Sequence, residues 1–207
     1  YILIPRVSSE NRKYIPFGFF SKDMIAGDTC LTIPSATLYD FGMLTSEMHM
    51  AWVSYVCGRL ESRFRYSNEV VYNNYPFPQE VSDKQKERVE AAAQAVLDAR
   101  AKYQNPQPSS SPLLQEDSVP SLSSSPLSRG DLGVCSSCSL ADLYDPLAMP
   151  PDLVKAHKEL DKAVDLCYRP QAFAGERSRI EFLFDLYEKY TANLFTPIKE
   201  KKKRAKK

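Results

Sequence analysis

Short apolar runs broken by polar turns fill the first part of the chain, and longer stretches with helical spacing fill most of the rest. Tyr1–Val7 is apolar and β-prone, Tyr14-Ile-Pro-Phe-Gly-Phe-Phe20 is strand-like, and Thr29–Ile33 is a short strand closed by Pro34. Pro16 and Gly18 inside the second run mark an edge or a bend. Such close succession predicts a small twisted sheet. Thr37–Phe41 reads as a helical turn broken at Gly42. A hydroxyl N-cap at Thr45 or Ser46 opens a firmer helix. Its Met48, Ala51, Trp52, Tyr55 and Val56 keep the spacing of one buried stripe, and Gly58 is its expected stop.

Beyond Gly58 the period changes. Glu61, Arg63 and Arg65 alternate with Phe64 and Tyr66. Residues two apart in an extended segment point to one side, so the three charges are expected on one face and the rings on the other. Glu69–Tyr75 is expected to form a last strand, fixed by Pro76 and Pro78.

Helical spacing then takes over. Ser82 with Gln85 forms a capping box, opening a helix to about Tyr103 with Val89, Ala93, Val96, Leu97 and Arg100 or Tyr103 on one face. Ser139–Pro146 reads as one helical turn. Pro150 and Pro151 suit the first turn of a helix running to Tyr168, with Leu153, Ala156, Leu160, Val164 and Cys167 as its stripe. A further helix spans Glu176–Phe195, with Ile180, Leu183, Phe184, Tyr187, Tyr190 and Leu194 inward. These three predict a small antiparallel bundle. The expected fold class is α+β: a small twisted β-sheet with one main helix, followed by the bundle.

Composition changes this picture in one place. Sixteen of the 35 residues at 104–138 are Ser or Pro, too polar and aperiodic to build a core, so the segment reads as a disordered linker or insertion. The expected division is a domain at 1–80, a connecting helix at 81–103, the linker at 104–138, a helical domain at 139–197 and a basic tail at 198–207. The net charge of +1 conceals a neutral 1–78, −5 over 79–198 and +6 over 199–207. A nonspecific phosphate binder is poorly supported. No apolar run approaches the ~18 residues of a membrane span. Five scattered cysteines suit a reducing cytoplasm better than a disulfide framework. The opening Tyr1-Ile-Leu-Ile-Pro5, inside an apolar run, reads as the middle of a larger protein.

Candidate chemistry is local. An Arg fork pairs with guanine O6/N7, and a Glu carboxylate accepts from cytosine N4, so Glu61 with Arg63 and Arg65 has the groups for reading base edges. On residue types alone a salt-bridged strand edge with no partner is the favoured reading, because surface ion pairs are common and mostly idle. His49 and His157 lie beside apolar stripes without partners at metal-ligand spacing and read as packed histidines. Cys135-Ser-Ser-Cys138 lacks a second pair and reads as two flexible thiols. Asn74-Tyr-Pro-Phe77 resembles, out of order, the Asn-Pro-Pro-Tyr/Phe tetrapeptide of amino-methyltransferases, but its prolines are separated and it is rejected as catalytic. There is no Gly-rich loop after a strand for S-adenosylmethionine and no acidic-acidic-Lys nuclease constellation.

A family resemblance bears on the choice. Ala36-Thr-Leu-Tyr-Asp-Phe-Gly-Met-Leu-Thr-Ser46, His49-Met-Ala-Trp52, Val56-Cys-Gly-Arg-Leu60, Arg65-Tyr-Ser67 and Val71-Tyr-Asn-Asn-Tyr-Pro-Phe-Pro78 resemble the target-recognition domain of Type IIL restriction–modification enzymes, the MmeI-like family. Gln94-Ala-Val-Leu-Asp-Ala-Arg-Ala101 and the block from Ser139 to Leu153 resemble that family's C-terminal helical domain. The Ser/Pro-rich insertion departs from the usual pattern, which joins these blocks closely. The resemblance implies a single polypeptide with an N-terminal nuclease, a helical connector and an adenine-N6 methyltransferase core, using S-adenosylmethionine and Mg2+, that core preceding Tyr1. One recognition segment then directs methylation and cleavage of double-stranded DNA. It implies that Glu61 and Arg63 read one base pair, Glu-x-Arg going with C and Lys-x-Asp with G. Positions matching Ser35, Ala36, Arg65 and Lys13 are implied base readers as well. On this view the chain alone holds no cofactor and neither methylates nor cuts. The reading from a different class is a helical protein-interaction module, with Trp52 and the aromatic strands as core and Glu61 and Arg63 as surface.

Overall fold

A computed structural model describes residues 1–104 and 138–192. The linker apart from its two end residues, Cys135, the expected end of the last helix at Phe195 and the basic tail lie outside the described residues.

The β-prone first part forms two small antiparallel sheets rather than one. β1 (Ile2–Pro5) is central in the first, between β3 (Gly18–Phe19) and β4 (Cys30–Ile33). β2 (Val7–Ser8) pairs with β6 (Arg63–Arg65), which also pairs with β5 (Gly58–Leu60) in the second. Arg6 joins them. Its N–H donates to the Thr29 carbonyl at 3.1 Å, and its own carbonyl accepts from Tyr66 N–H at 2.8 Å. Of the expected strand Tyr14–Phe20 the last part pairs: Gly18 and Phe19 lie opposite Leu3 and Ile2, and Phe20 exchanges backbone hydrogen bonds with Tyr1 at 3.0 Å and 2.9 Å, whereas Tyr14, Ile15 and Phe17 are buried in the core.

The helices follow their caps. α1 (Leu38–Leu44) starts from a Thr37/Asp40 capping box and runs through Gly42 without a break. Gly42 lies where α3 (Asp83–Gln104) and α5 (Pro151–Tyr168) converge; a Cβ there would sit 2.7 Å from Val89 Cγ1 and 3.2 Å from Leu160 Cδ1. The glycine serves close packing, not termination. α2 (Glu47–Val56) is capped by Ser46 and buries Met48 through Val53 nearly all round, while Tyr55, expected inward, is exposed.

The expected strand at Glu69–Tyr75 is instead a π-helical turn at Asn68–Tyr72. The Trp52 indole donates to the Val71 carbonyl at 3.0 Å, and the Asn74 amide donates to the carbonyls of Glu69 at 2.7 Å and Val70 at 3.1 Å. Those donors satisfy carbonyls that a strand would have offered to a ladder, overriding the β-branched preference.

The Ser82/Gln85 box is present at the start of α3. α3 and α5 run antiparallel: Gln85 Nε2 donates to Leu166 O at 2.7 Å at one end, and Tyr103 OH to Asp152 at 2.8 Å at the other. A short α4 (Leu140–Leu143) precedes α5. The last helix, α6 (Glu176–Thr191), packs chiefly on α2, with Phe184 and Tyr187 ring centroids 5.5 Å and 5.8 Å from Trp52. One hydrophobic core therefore draws on α1, α2, the sheets and the C-terminal helices together.

Two buried polar clusters stitch these elements. Arg100 of α3 donates to Phe17 O at 2.7 Å and twice to the Tyr144 hydroxyl. The Tyr144 hydroxyl in turn lies 2.6 Å from His157 Nε2. In the second, Asp161 of α5 accepts from the Tyr14 hydroxyl and from Glu47 N–H, both at 2.7 Å. Arg179 of α6 bridges Glu47 at 2.9 Å and grips Asp165 through two nitrogens, the fork-to-fork geometry that favours arginine.

Candidate nucleic-acid interface

β6 is only three residues long, yet it is held from both sides and from beneath. Phe64 and Tyr66 are buried, whereas Arg63 and Arg65 are exposed. Directly opposed residues of antiparallel strands share a face. The pairings Val7↔Arg65↔Gly58 and Leu60↔Arg63 therefore build one outer surface, with Ser8, Phe64 and Arg59 on the inner one.

The inner side fixes the strand to α2. The Tyr66 hydroxyl lies 3.0 Å from His49 Nε2, and His49 Nδ1 lies 2.8 Å from the Leu44 carbonyl. A carbonyl only accepts, so Nδ1 carries the proton and Nε2 accepts from Tyr66. Burial drives the His49 pKa down to about 3 against a weaker upward pull from the Leu44 carbonyl. Both ring nitrogens are engaged in a neutral ring, the packed role expected of it. Arg59 lies 4.1 Å over the Phe64 ring and donates to the carbonyls of Ser54 and Ser62, bracing the hairpin against the end of α2.

Glu61 stands apart from the expected alternation. It lies in the two-residue turn between β5 and β6 with φ 58°, so only Arg63 and Arg65 share a strand face. Its carboxylate reaches Arg63 Nη2 at 2.9 Å, both side chains remaining open to solvent at 77% and 46% exposure. Ser35, in the turn after β4, has φ 56°. Among the described residues, Ser35 and Glu61 are the non-glycine residues with positive φ. That left-handed conformation costs a side-chain-bearing residue roughly 1–2 kcal/mol, and such outliers gather at functional positions.

The six expected readers do not form one cluster. Glu61, Arg63 and Arg65 meet on the hairpin. Ser35 is exposed and Ala36 half-buried, at the end of β4 that pairs with the start of β1, away from where β2 leaves. At ~3.3 Å per residue, the path from Ile2 to Val7 spans roughly 16 Å at most. Lys13 pairs with Glu47 and lines a groove of about 490 Å³ that reaches Phe64 and the start of α6. Sequence patterns do not single out Glu10, which lies in the polar turn Ser8–Lys13 between the first two apolar runs. The Ser62 hydroxyl holds its carboxyl below the ordinary range, with smaller help from Arg59 and Arg63, so it adds a second carboxylate at the hairpin tip. Its link to Ser62 spans 52 positions, which no local pattern reveals.

Among the described residues no group of three or more His, Cys, Asp or Glu side chains is placed to hold a metal ion, and no helix is long and apolar enough to cross a membrane. Both sheets are antiparallel among the described residues.

Comparisons with known proteins agree in direction. The family model described as "MmeI, target recognition domain" matches residues 1–79, and that described as "MmeI, C-terminal domain" matches 134–195. A solved structure of the Type IIL restriction–modification enzyme MmeI in complex with DNA is similar at a TM-score of 0.72 and 40% identity, over 92% of this chain and 21% of that one. The DNA methyltransferase A of Bacillus subtilis (strain 168) is 35% identical over 190 residues, 92% of this chain and 18% of that protein. The chain thus spans about a fifth of the length of either.

Proposed function

Because this chain belongs to the MmeI family, as its target recognition domain followed by its C-terminal domain, we propose that it reads the base sequence of double-stranded DNA on behalf of a larger restriction–modification polypeptide. One observation carries the reading. Arg63 and Arg65 project from the outer face of a strand whose other face is locked to α2 through Phe64, Tyr66 and His49. A fixed base of attachment holds a guanidinium ready for bidentate pairing with guanine.

Glu61 fits beside them. Its carboxylate accepts from a cytosine amine while Arg63 donates to the paired guanine, one C·G pair satisfying both groups. Their mutual ion pair is exposed and worth little, so its loss on binding costs little. Ser35, Ala36 and Lys13 are proposed as readers of further base pairs along the site. Methylation of adenine N6 and cleavage belong to a core N-terminal to Tyr1, with S-adenosylmethionine and Mg2+ held there; no residue of this chain is assigned to either.

Selection from a randomised duplex library tests the proposal. The intact protein is expected to enrich a defined sequence, and Arg65→Ala to lose that preference at one or two base pairs, at roughly 1–3 kcal/mol each. An unchanged preference after Arg65→Ala refutes the reading.

A further inference from the structure

The face that carries Arg63 and Arg65 also carries a glycine that the fold itself does not require. Gly58 pairs with Arg65 across β5 and β6, so a side chain there would rise beside that of Arg65. The expected role as helix stop falls away: α2 ends on Cys57, whose backbone is extended at φ −69° and ψ 135°. Gly58 does not need a left-handed backbone either, since the positive-φ glycine among the described residues is Gly175. Packing makes no demand. A Cβ at Gly58 meets only the Arg65 carbonyl, at an ordinary contact distance of 3.7 Å. Gly42, where a Cβ would collide with Val89 at 2.7 Å, shows what an internally required glycine looks like.

Gly58 opens β5 and is already paired there; a glycine at a paired strand position sacrifices chain entropy and side-chain packing, and where the fold gives no reason it marks close approach from outside. Gly58 is exposed and borders one side of Arg65, while Val7 borders the other. Arg65 therefore stands between an aliphatic wall and a bare floor. We infer that Gly58 is a close-approach residue for DNA: the base edge hydrogen-bonded by Arg65 lies in van der Waals contact with the Gly58 backbone. This rests on the proposed reading of DNA by the same face. A side chain at 58 holds the duplex off the sheet, and the Arg65 hydrogen bonds, steep in distance and angle, are the first to fail.

The test uses the intact protein, the duplex it enriches from a randomised library, and a scrambled duplex. Gly58→Ala and Gly58→Val keep or raise the melting temperature and lose affinity for the enriched duplex in order of side-chain size, roughly tenfold for alanine and more for valine. Affinity for the scrambled duplex, set by phosphate contacts, stays unchanged. Wild-type affinity in both variants overturns the inference, and so does an equal loss on both duplexes; should the valine variant unfold, the alanine variant decides. Arg65→Ala separates the two levels. If it leaves the preference intact, the reading of DNA fails; if it abolishes the preference while Gly58→Ala and Gly58→Val bind normally, only the close approach fails.

Discussion

The Tyr66 hydroxyl donates to His49 Nε2 at 3.0 Å, tying the strand that carries Arg63 and Arg65 to the first turn of the core helix α2. The tie depends on a neutral imidazole, because a protonated ring has no lone pair to offer. Burial holds the His49 pKa near 3. In an NMR titration the His49 ring is expected to stay in the Nδ1–H form at pH 5, whereas an unperturbed histidine titrates near 6.5. A midpoint between 6 and 7 contradicts the account. The sign for stability follows: the unfolded chain takes up this proton below ~6.5 and the folded chain does not, so this ring destabilises the fold as pH falls toward 3.

Asp161 works in the opposite direction. Burial raises its carboxyl to about 7, against the hydrogen bonds from Tyr14 and Glu47 N–H. The folded chain therefore keeps a proton that the unfolded chain releases near 4. This contribution is full below ~4 and lost as pH rises through 7. The stability difference between wild type and Asp161→Asn, followed by urea denaturation from pH 4 to 8, is expected to swing toward the variant by roughly 3 kcal/mol. A flat difference contradicts it.

Gly42→Ala sets two principles against each other. Helix propensity favours alanine by about 1 kcal/mol, but its Cβ would press on Val89 and Leu160. Overpacking in a filled core costs roughly 1–3 kcal/mol. The variant is expected to lose stability in chemical denaturation; a gain contradicts the packing role.

At Glu61 the conflict lies between stability and recognition. With φ 58° at the hairpin turn, Glu61→Gly relieves a left-handed side chain and gives up only an exposed ion pair. The variant is expected to be equal or more stable, by up to about 1 kcal/mol, while discriminating less well at one base pair. Lower stability with unchanged discrimination places Glu61 in the fold rather than the site.

Local patterns made part of this legible. The Ser46 cap, the Ser82/Gln85 box and the inward Phe64 and Tyr66 depend on neighbours a few residues away, and the structure holds them as expected. Gly42 and the turn at Asn68–Tyr72 escape local patterns because their reasons are tertiary: one lies under Val89 and Leu160, the other under the Trp52 indole. The alternation placed Arg63 and Arg65 together but put Glu61 on the strand, since nothing local announced a turn without glycine. The Glu47–Asp161–Arg179 cluster joins positions more than a hundred residues apart, beyond the reach of any period.

The most direct measurement is the base preference of the charge-swapped protein. Glu61→Lys combined with Arg63→Asp, in the intact polypeptide, is challenged with the enriched duplex and its variants at every position. The expected result is an exchange of C for G at one base pair, the rest of the site unchanged, because ammonium and carboxylate present the complementary donor and acceptor. Retention of the wild-type preference at every position contradicts the claim that these side chains read DNA.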